Sequence, residues 1–120
     1  MKIAISSTGE TLSSDLDPRF GRAAYYLIID TETEKIIESI NNLENVNITG
    51  GAGTSATQLV ANKNVEAVIS GNYGPNASRG LASFEIKMFQ SNVKKITEVI
   101  ADLKAGTLIE VKSATVPGSH

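Results

Sequence analysis

Apolar residues in this chain come in short runs closed by polar turn formers, and their spacing predicts strands alternating with helices. Ile3, Ala4 and Ile5 form an unbroken apolar run closed by Ser6-Ser7-Thr8-Gly9, which suits a central strand buried on both faces. From Thr8 to Pro18 the chain is polar, and only Leu12 and Leu16 can anchor what reads as a surface loop. Tyr25 to Ile29 is rich in β-favouring residues and stops at Asp30. Thr31 to Glu34 turns the chain into Lys35 to Ile40, so the two runs read as an antiparallel hairpin. Asn41 to Asn47 is polar and Asn-rich, an irregular connection.

The second half changes period. Gly50-Gly51-Ala52-Gly53 precedes Thr54 and Ser55, either of which can cap a helix, and Ala56, Leu59 and Val60 recur at helical spacing until Asn62-Lys63-Asn64. Ala67, Val68 and Ile69 make a second buried strand, and Pro75 opens a short helix to about Ala82. Phe84 to Phe89 reads as a further strand. Ser91 or Asn92 caps a helix whose Val93, Ile96, Val99, Ile100 and Leu103 form one apolar stripe, with Gly106 as its stop. Leu108 to Val111 reads as a last strand or an extended surface segment. The order predicts one α/β domain over residues 1–111, its sheet starting antiparallel and continuing through right-handed βαβ crossovers, with helices on its faces. Residues 112–120 have the composition of a flexible tail.

The stretch from Glu66 to Leu81 organises the rest. Its strand stops at Ser70-Gly71, and a Gly- and Asn-rich turn leads to the helix start at Pro75. Gly71 and Gly74 allow backbone conformations or close approaches that a side chain would disturb. Free N–H groups at the helix start, beside Asn72, Asn76 and Arg79, offer a seat for an anion; an ordinary βα connection is the other reading. Arg19-Phe20-Gly21-Arg22 supplies forked cationic donors around an aromatic. Its structural alternative has both guanidiniums pairing with Asp15 and Asp17 or covering the sheet edge while Phe20 enters the core. The Gly50–Gly53 loop lacks the P-loop ending and the spacing of a dinucleotide fingerprint, so it is a weak signal for nucleotide binding and helix capping explains it better.

Composition narrows the chemistry. Eleven basic and 13 acidic residues give a net charge of −2, which argues against a general nucleic-acid or membrane-surface binder. Cys is absent and the single His is His120, so no thiolate ligand, Ser-His triad or His metal site is expected from the ordered chain. The first apolar run carries no acid to hold the paired divalent metals of a nuclease. Ser, Thr and Asn suit binding better than acid–base work, since none titrates near neutral pH. The expectation is a non-enzymatic, soluble, cytoplasmic protein.

The opening strand, then PRFGRAAYYLIID, GGAGTSATQLV, VEAVISGNYGPNASRGL and a helix ending at AGTL occur in an order and spacing that resemble the dinitrogenase iron–molybdenum cofactor biosynthesis family, over nearly all of Met1 to Leu108. The resemblance implies a small ribonuclease-H-like domain that binds, delivers or stores the iron–molybdenum cofactor or an iron–sulphur precursor without turnover. It places Phe20, Gly21 and Arg22, then Gly51 and Gly53, then Gly74, Pro75, Asn76 and Ala77 on the family's motifs; Arg19 stands where many members have His. The expected site is therefore Arg19, Phe20, Gly21, Arg22, Gly51, Gly53, Asn72, Gly74 and Asn76, holding an anionic ligand or metal cluster through Arg and backbone N–H groups. The alternative is a regulatory or interaction module that binds a partner protein or a small phosphate-containing ligand.

Overall fold

The computed structural model describes residues 1–43 and 51–117. Its elements run β1 (Lys2–Ser7), β2 (Tyr25–Asp30), β3 (Lys35–Asn41), α1 (Ala52–Ala61), β4 (Ala67–Ser70), α2 (Pro75–Ser83), β5 (Lys87–Gln90), α3 (Ile96–Ala105) and β6 (Ile109–Val111). One mixed sheet has the order β3-β2-β1-β4-β5-β6. β1, β4 and β5 run parallel, while β2, β3 and β6 are antiparallel to their neighbours. The expected hairpin and the parallel strands that follow it are both present, in a ribonuclease-H-like mixed sheet.

The period of two along β1 explains why every residue from Ile3 to Ile5 is apolar. Ile3 and Ile5 pack with Leu27, Ile29, Ala67 and Ile69 under α3, whose Ile96, Val99 and Ile100 close that layer. Ala4 points the other way and joins Tyr26, Ile28, Val68 and Met88 under α1 and α2. Helices on both faces leave β1 and β4 no solvated side. Among the described residues no helix is long and apolar enough to cross a membrane.

Two boundaries differ from expectation. The strand expected from Phe84 begins only at Lys87, because Phe84 caps α2, its N–H shared between the Gly80 and Leu81 carbonyls, and Glu85 turns the chain at φ 59°. The last helix starts at Ile96 and not after Ser91 or Asn92, leaving Val93 58% exposed. The reason lies in the Thr8–Pro18 loop, which does a cap's work. Ile96 and Thr97 donate their N–H groups to the Ser14 and Leu12 carbonyls at 2.9 and 3.1 Å, so the helix start needs no side-chain cap. Gly106 ends the helix at φ 73°, as its position predicts. β6 is a paired strand, antiparallel to β5.

Thr54 and Ser55 also fall inside α1; its cap position is Gly51, at φ 72°. The irregular connection expected between Asn41 and Asn47 lies mostly outside the described residues. Its described part is ordered by side chains: Asn42 is buried and donates Nδ2 to the Ala23 carbonyl at 2.9 Å.

Candidate ligand-binding site

The carboxyl ends of β1 and β4 share one edge of the sheet with the start of β2 and the end of β3, so three loops meet there. Ser6 and Ser70, the polar residues that end the two apolar runs, fasten the first loop. The Ser6 hydroxyl donates to the Asp17 carbonyl at 2.6 Å and lies 2.8 Å from the Ser70 hydroxyl, and Asp17 N–H returns to the Ser6 carbonyl at 2.9 Å. The Asp17 carboxylate, 4% exposed, folds the following turn by accepting the Arg19 N–H at 3.0 Å and the Ala24 N–H at 3.4 Å. Arg19 then bridges to Asn72, and Phe20 N–H donates to the Asn72 carbonyl at 3.2 Å.

Phe20 is the anchor of this arrangement. Its ring lies 5.5 Å from those of both Tyr26 and Tyr73, within the range of favourable aromatic pairing. Tyr26 donates its hydroxyl to the Phe20 carbonyl. Tyr73 donates to the Phe89 carbonyl at 2.7 Å. Burial, and for Tyr26 the Asp17 carboxylate as well, hold both phenols protonated far above their ordinary range. They act as fixed donors, not as acids.

Above Phe20 lies a cavity of ≈ 300 Å³, at the small end of the range for ligand sites. All nine residues expected at the site line it. Arg19, Phe20, Gly21 and Arg22 come from the loop before β2, Gly51 and Gly53 from the start of α1, and Asn72, Gly74 and Asn76 from the loop after β4 and the start of α2. Arg79 is the member of the wider cluster that does not reach the cavity; its Nη2 donates to Asn76 Oδ1 at 2.6 Å, one turn earlier on the helix surface.

The electrostatics of the lining point one way. It contains two arginines and no acidic residue. Arg19 is paired with Asp17 through Nε at 3.4 Å and Phe20 is buried in the core, as the structural alternative expects, yet the Arg19 side chain is 58% exposed, which leaves its cation at the cavity mouth. Both α1 and α2 present their N-termini here, and neither has a side-chain cap or an acidic residue in its first turn. Their leading N–H groups have no intrahelical partner and carry the positive end of each dipole. The two helix starts touch: a Cβ on Gly53 would lie 3.1 Å from Ala77 N. α3, which starts away from the cavity, has its first N–H groups satisfied by loop carbonyls.

A larger cleft of ≈ 640 Å³ lies across the sheet between Gly71 and Thr107. Its Lys94 is paired with Asp102 at 2.7 Å, so it offers no comparable excess of positive charge.

Gly74 differs from expectation. Its backbone is extended, φ −80° and ψ 171°, and a Cβ there would meet nothing within 4 Å. The expected cost of a side chain at this turn belongs to Gly71, whose Cβ would stand 2.8 Å from Pro18 Cα. Gly74→Ala is accordingly expected to leave the stability within about 0.5 kcal/mol of wild type by urea denaturation, and any change in ligand affinity would then be steric.

Sequence reading missed Val116 and Pro117, which line the cavity beside the expected residues. Lys112 to Pro117, expected as a flexible tail, runs back over the Asn72-Tyr73 loop. Thr115 N–H donates to the Tyr73 carbonyl at 2.9 Å, and Thr115 Oγ1 accepts the Tyr73 N–H at 2.8 Å. The partners are far apart in sequence, so local composition carries no trace of the contact; Pro117, which favours extended backbone before it, is the one available hint.

Fold and cavity define a small α/β domain built around a cationic, backbone-rich pocket. The family model for dinitrogenase iron–molybdenum cofactor matches residues 1–106, and the chain belongs to that family. It is 33% identical over 110 residues to the uncharacterised protein MJ0580 of Methanocaldococcus jannaschii, covering 90% of this chain and 89% of that one. Among solved structures it is similar to the apo form of the orange protein from Desulfovibrio gigas, with TM-score 0.90, 27% identity and 96% of each chain covered. It is also similar to a NifB-like protein of Thermotoga assigned to the DUF35 family, with TM-score 0.83, 32% identity and 98% of each chain covered.

Proposed function

We propose that this chain is a non-enzymatic carrier that holds an anionic metal–sulphur ligand, the iron–molybdenum cofactor or an iron–sulphur precursor, in the cavity above Phe20. The observation that supports this reading is the convergence of two guanidiniums and two uncapped helix N-termini on one cavity without an acidic lining residue. That set suits a delocalised anion larger than a single carboxylate.

The donor set supports one way of holding such a cargo. Cys is absent from the sequence, and among the described residues no group of three or more His, Cys, Asp or Glu side chains is placed to hold a metal. Arg19, Arg22 and the backbone N–H groups at Gly53 and Ala77 would therefore bind the outer sulphur or oxygen atoms of the cluster and not its metals. Hydrogen bonding of this kind is reversible without breaking a metal–thiolate bond, which fits delivery better than permanent residence. A small phosphate-containing ligand is the second reading, favoured by the same helix starts.

The test is an anaerobic titration of purified protein with isolated iron–molybdenum cofactor, an iron–sulphur precursor, molybdate and phosphate. Binding of the cofactor or precursor at least about tenfold tighter than phosphate, a difference of roughly 1.4 kcal/mol, is the expected result. Tighter binding of phosphate would select the second reading, and no binding of any of the four would overturn the anion site.

A further inference from the structure

We propose that residues 112–117 form a strap that closes the cavity over its ligand and sets how fast the ligand leaves, with Thr115 as its latch. The inference rests on the cavity being the ligand site. It concerns a part of the chain beyond the family match, which ends at residue 106.

Among the described residues, hydrogen bonds tie the strap to the rest of the domain at one place. After β6, Lys112 and Ser113 are exposed and Lys112 pairs only locally with Glu110; among the described residues, hydrogen bonds from the strap to another part of the chain begin at Thr115. Thr115 and Val116 both donate N–H to the Tyr73 carbonyl, at 2.9 and 3.3 Å, and Tyr73 N–H donates to Thr115 Oγ1 at 2.8 Å. The Thr115 hydroxyl has one proton of its own and two acceptors in reach, Asn72 Oδ1 at 3.3 Å and the Tyr73 carbonyl at 3.4 Å. Every one of these partners lies in the two-residue stretch Asn72-Tyr73. Breaking them exposes no core side chain of the strap, because Val116 is already 39% exposed. A segment held by a few hydrogen bonds and little apolar burial opens locally while the domain stays folded.

The latch and the site share residues. Asn72 lines the cavity and also faces the Thr115 hydroxyl. Tyr73, whose backbone receives the strap, packs its ring on Phe20 at the cavity floor. Val116 and Pro117, immediately after the latch, are cavity wall. A ligand that fixes Asn72 therefore favours the docked strap, and the docked strap leaves the ligand a narrower exit. Linkage requires each to stabilise the other by the same factor.

Two variants of the 120-residue chain test this: one ending after Lys112, and Thr115→Val, which keeps the side-chain shape and removes the hydroxyl. The probe is isolated iron–molybdenum cofactor, its release followed anaerobically after dilution into excess unlabelled acceptor protein. Truncation is expected to speed release at least tenfold, and Thr115→Val to give an intermediate rate. In wild type, amide hydrogen exchange at Thr115 and Val116 should slow when cofactor is added. Equal release rates in wild type and truncated protein, or exchange at Thr115 unaffected by bound cofactor, would overturn the strap while leaving the site reading intact. If neither wild type nor truncated protein binds cofactor, the site reading fails and the strap with it. Binding by the truncated form alone would make residues 112–117 a block and overturn their role in retention.

Discussion

Gly71→Ala is expected to destabilise the protein by about 2–3 kcal/mol, the upper part of the range for inserting a methyl group into packed structure. The added Cβ would lie 2.8 Å from Pro18 Cα, 2.9 Å from Pro18 Cβ and 3.1 Å from its carbonyl oxygen. A flexible side-chain tip could swing away from such a contact; a proline backbone cannot. Pro18 is held from the preceding residue, since Asp17 exchanges hydrogen bonds with Ser6 through both its N–H and its carbonyl. Movement on the other side would disturb Gln90, whose Nε2 donates to the Gly71 carbonyl at 2.9 Å. For a domain of this size the loss should lower the melting temperature by roughly 5–15 °C. The measurement is urea denaturation beside Gly74→Ala, which shares the loop and lacks the contact. A Gly71→Ala midpoint equal to that of Gly74→Ala would show that the two loops separate freely and that their packing does not fix the site.

The contrast between these glycines shows what could be read from sequence and what could not. That the stretch after β4 needed glycine was legible from its composition. Which glycine was not, because the demand comes from Pro18, more than fifty residues earlier and brought beside it by the pairing of β1 with β4 and the Arg19–Asn72 bridge. The same limit explains the start of α3. Its apolar stripe was visible at the right spacing, but the cap is made by backbone carbonyls of a distant loop, and a carbonyl has no residue-type signature. β1, the hairpin and the two parallel strands were legible because their evidence is local: runs of apolar residues, and polar residues where they end. The nine expected residues were legible as a group because most of them lie in the short motifs Phe20-Gly21-Arg22, Gly51 to Gly53 and Gly74 to Ala77 that carry the family resemblance, and the loop before β2 and the loop after β4 open on one edge of the sheet. Val116 and Pro117 lie in none of these motifs, and were lost in a segment that reads as solvent-exposed.

The largest effect on binding is expected from the arginines. Replacing Arg19 and Arg22 together with Gln should weaken the binding of isolated iron–molybdenum cofactor by about 10- to 50-fold, because each change trades a charge-assisted hydrogen bond for a neutral one worth roughly half as much. The loss should shrink as salt is added, since Arg19 is largely exposed and its field is screened. The double Lys variant should fall between wild type and the Gln variant: it restores the charge but not the planar fork. Loss of the Arg19 pairing should change stability little. Arg19 leaves behind a buried Asp17, but that carboxylate keeps its two backbone donors, the N–H groups of residues 19 and 24. An exposed guanidinium paired at 3.4 Å contributes only about 0–1 kcal/mol. The decisive comparison is the anaerobic titration of the three proteins with cofactor, molybdate and phosphate, accompanied by urea denaturation of each. Reduced affinity at unchanged stability would place the guanidiniums on the ligand. Equal affinity of wild type and the Gln variant for every ligand, with stability lowered instead, would assign Arg19 to Asp17 alone and move the search for this protein's function from the cavity to its outer surface and a partner protein.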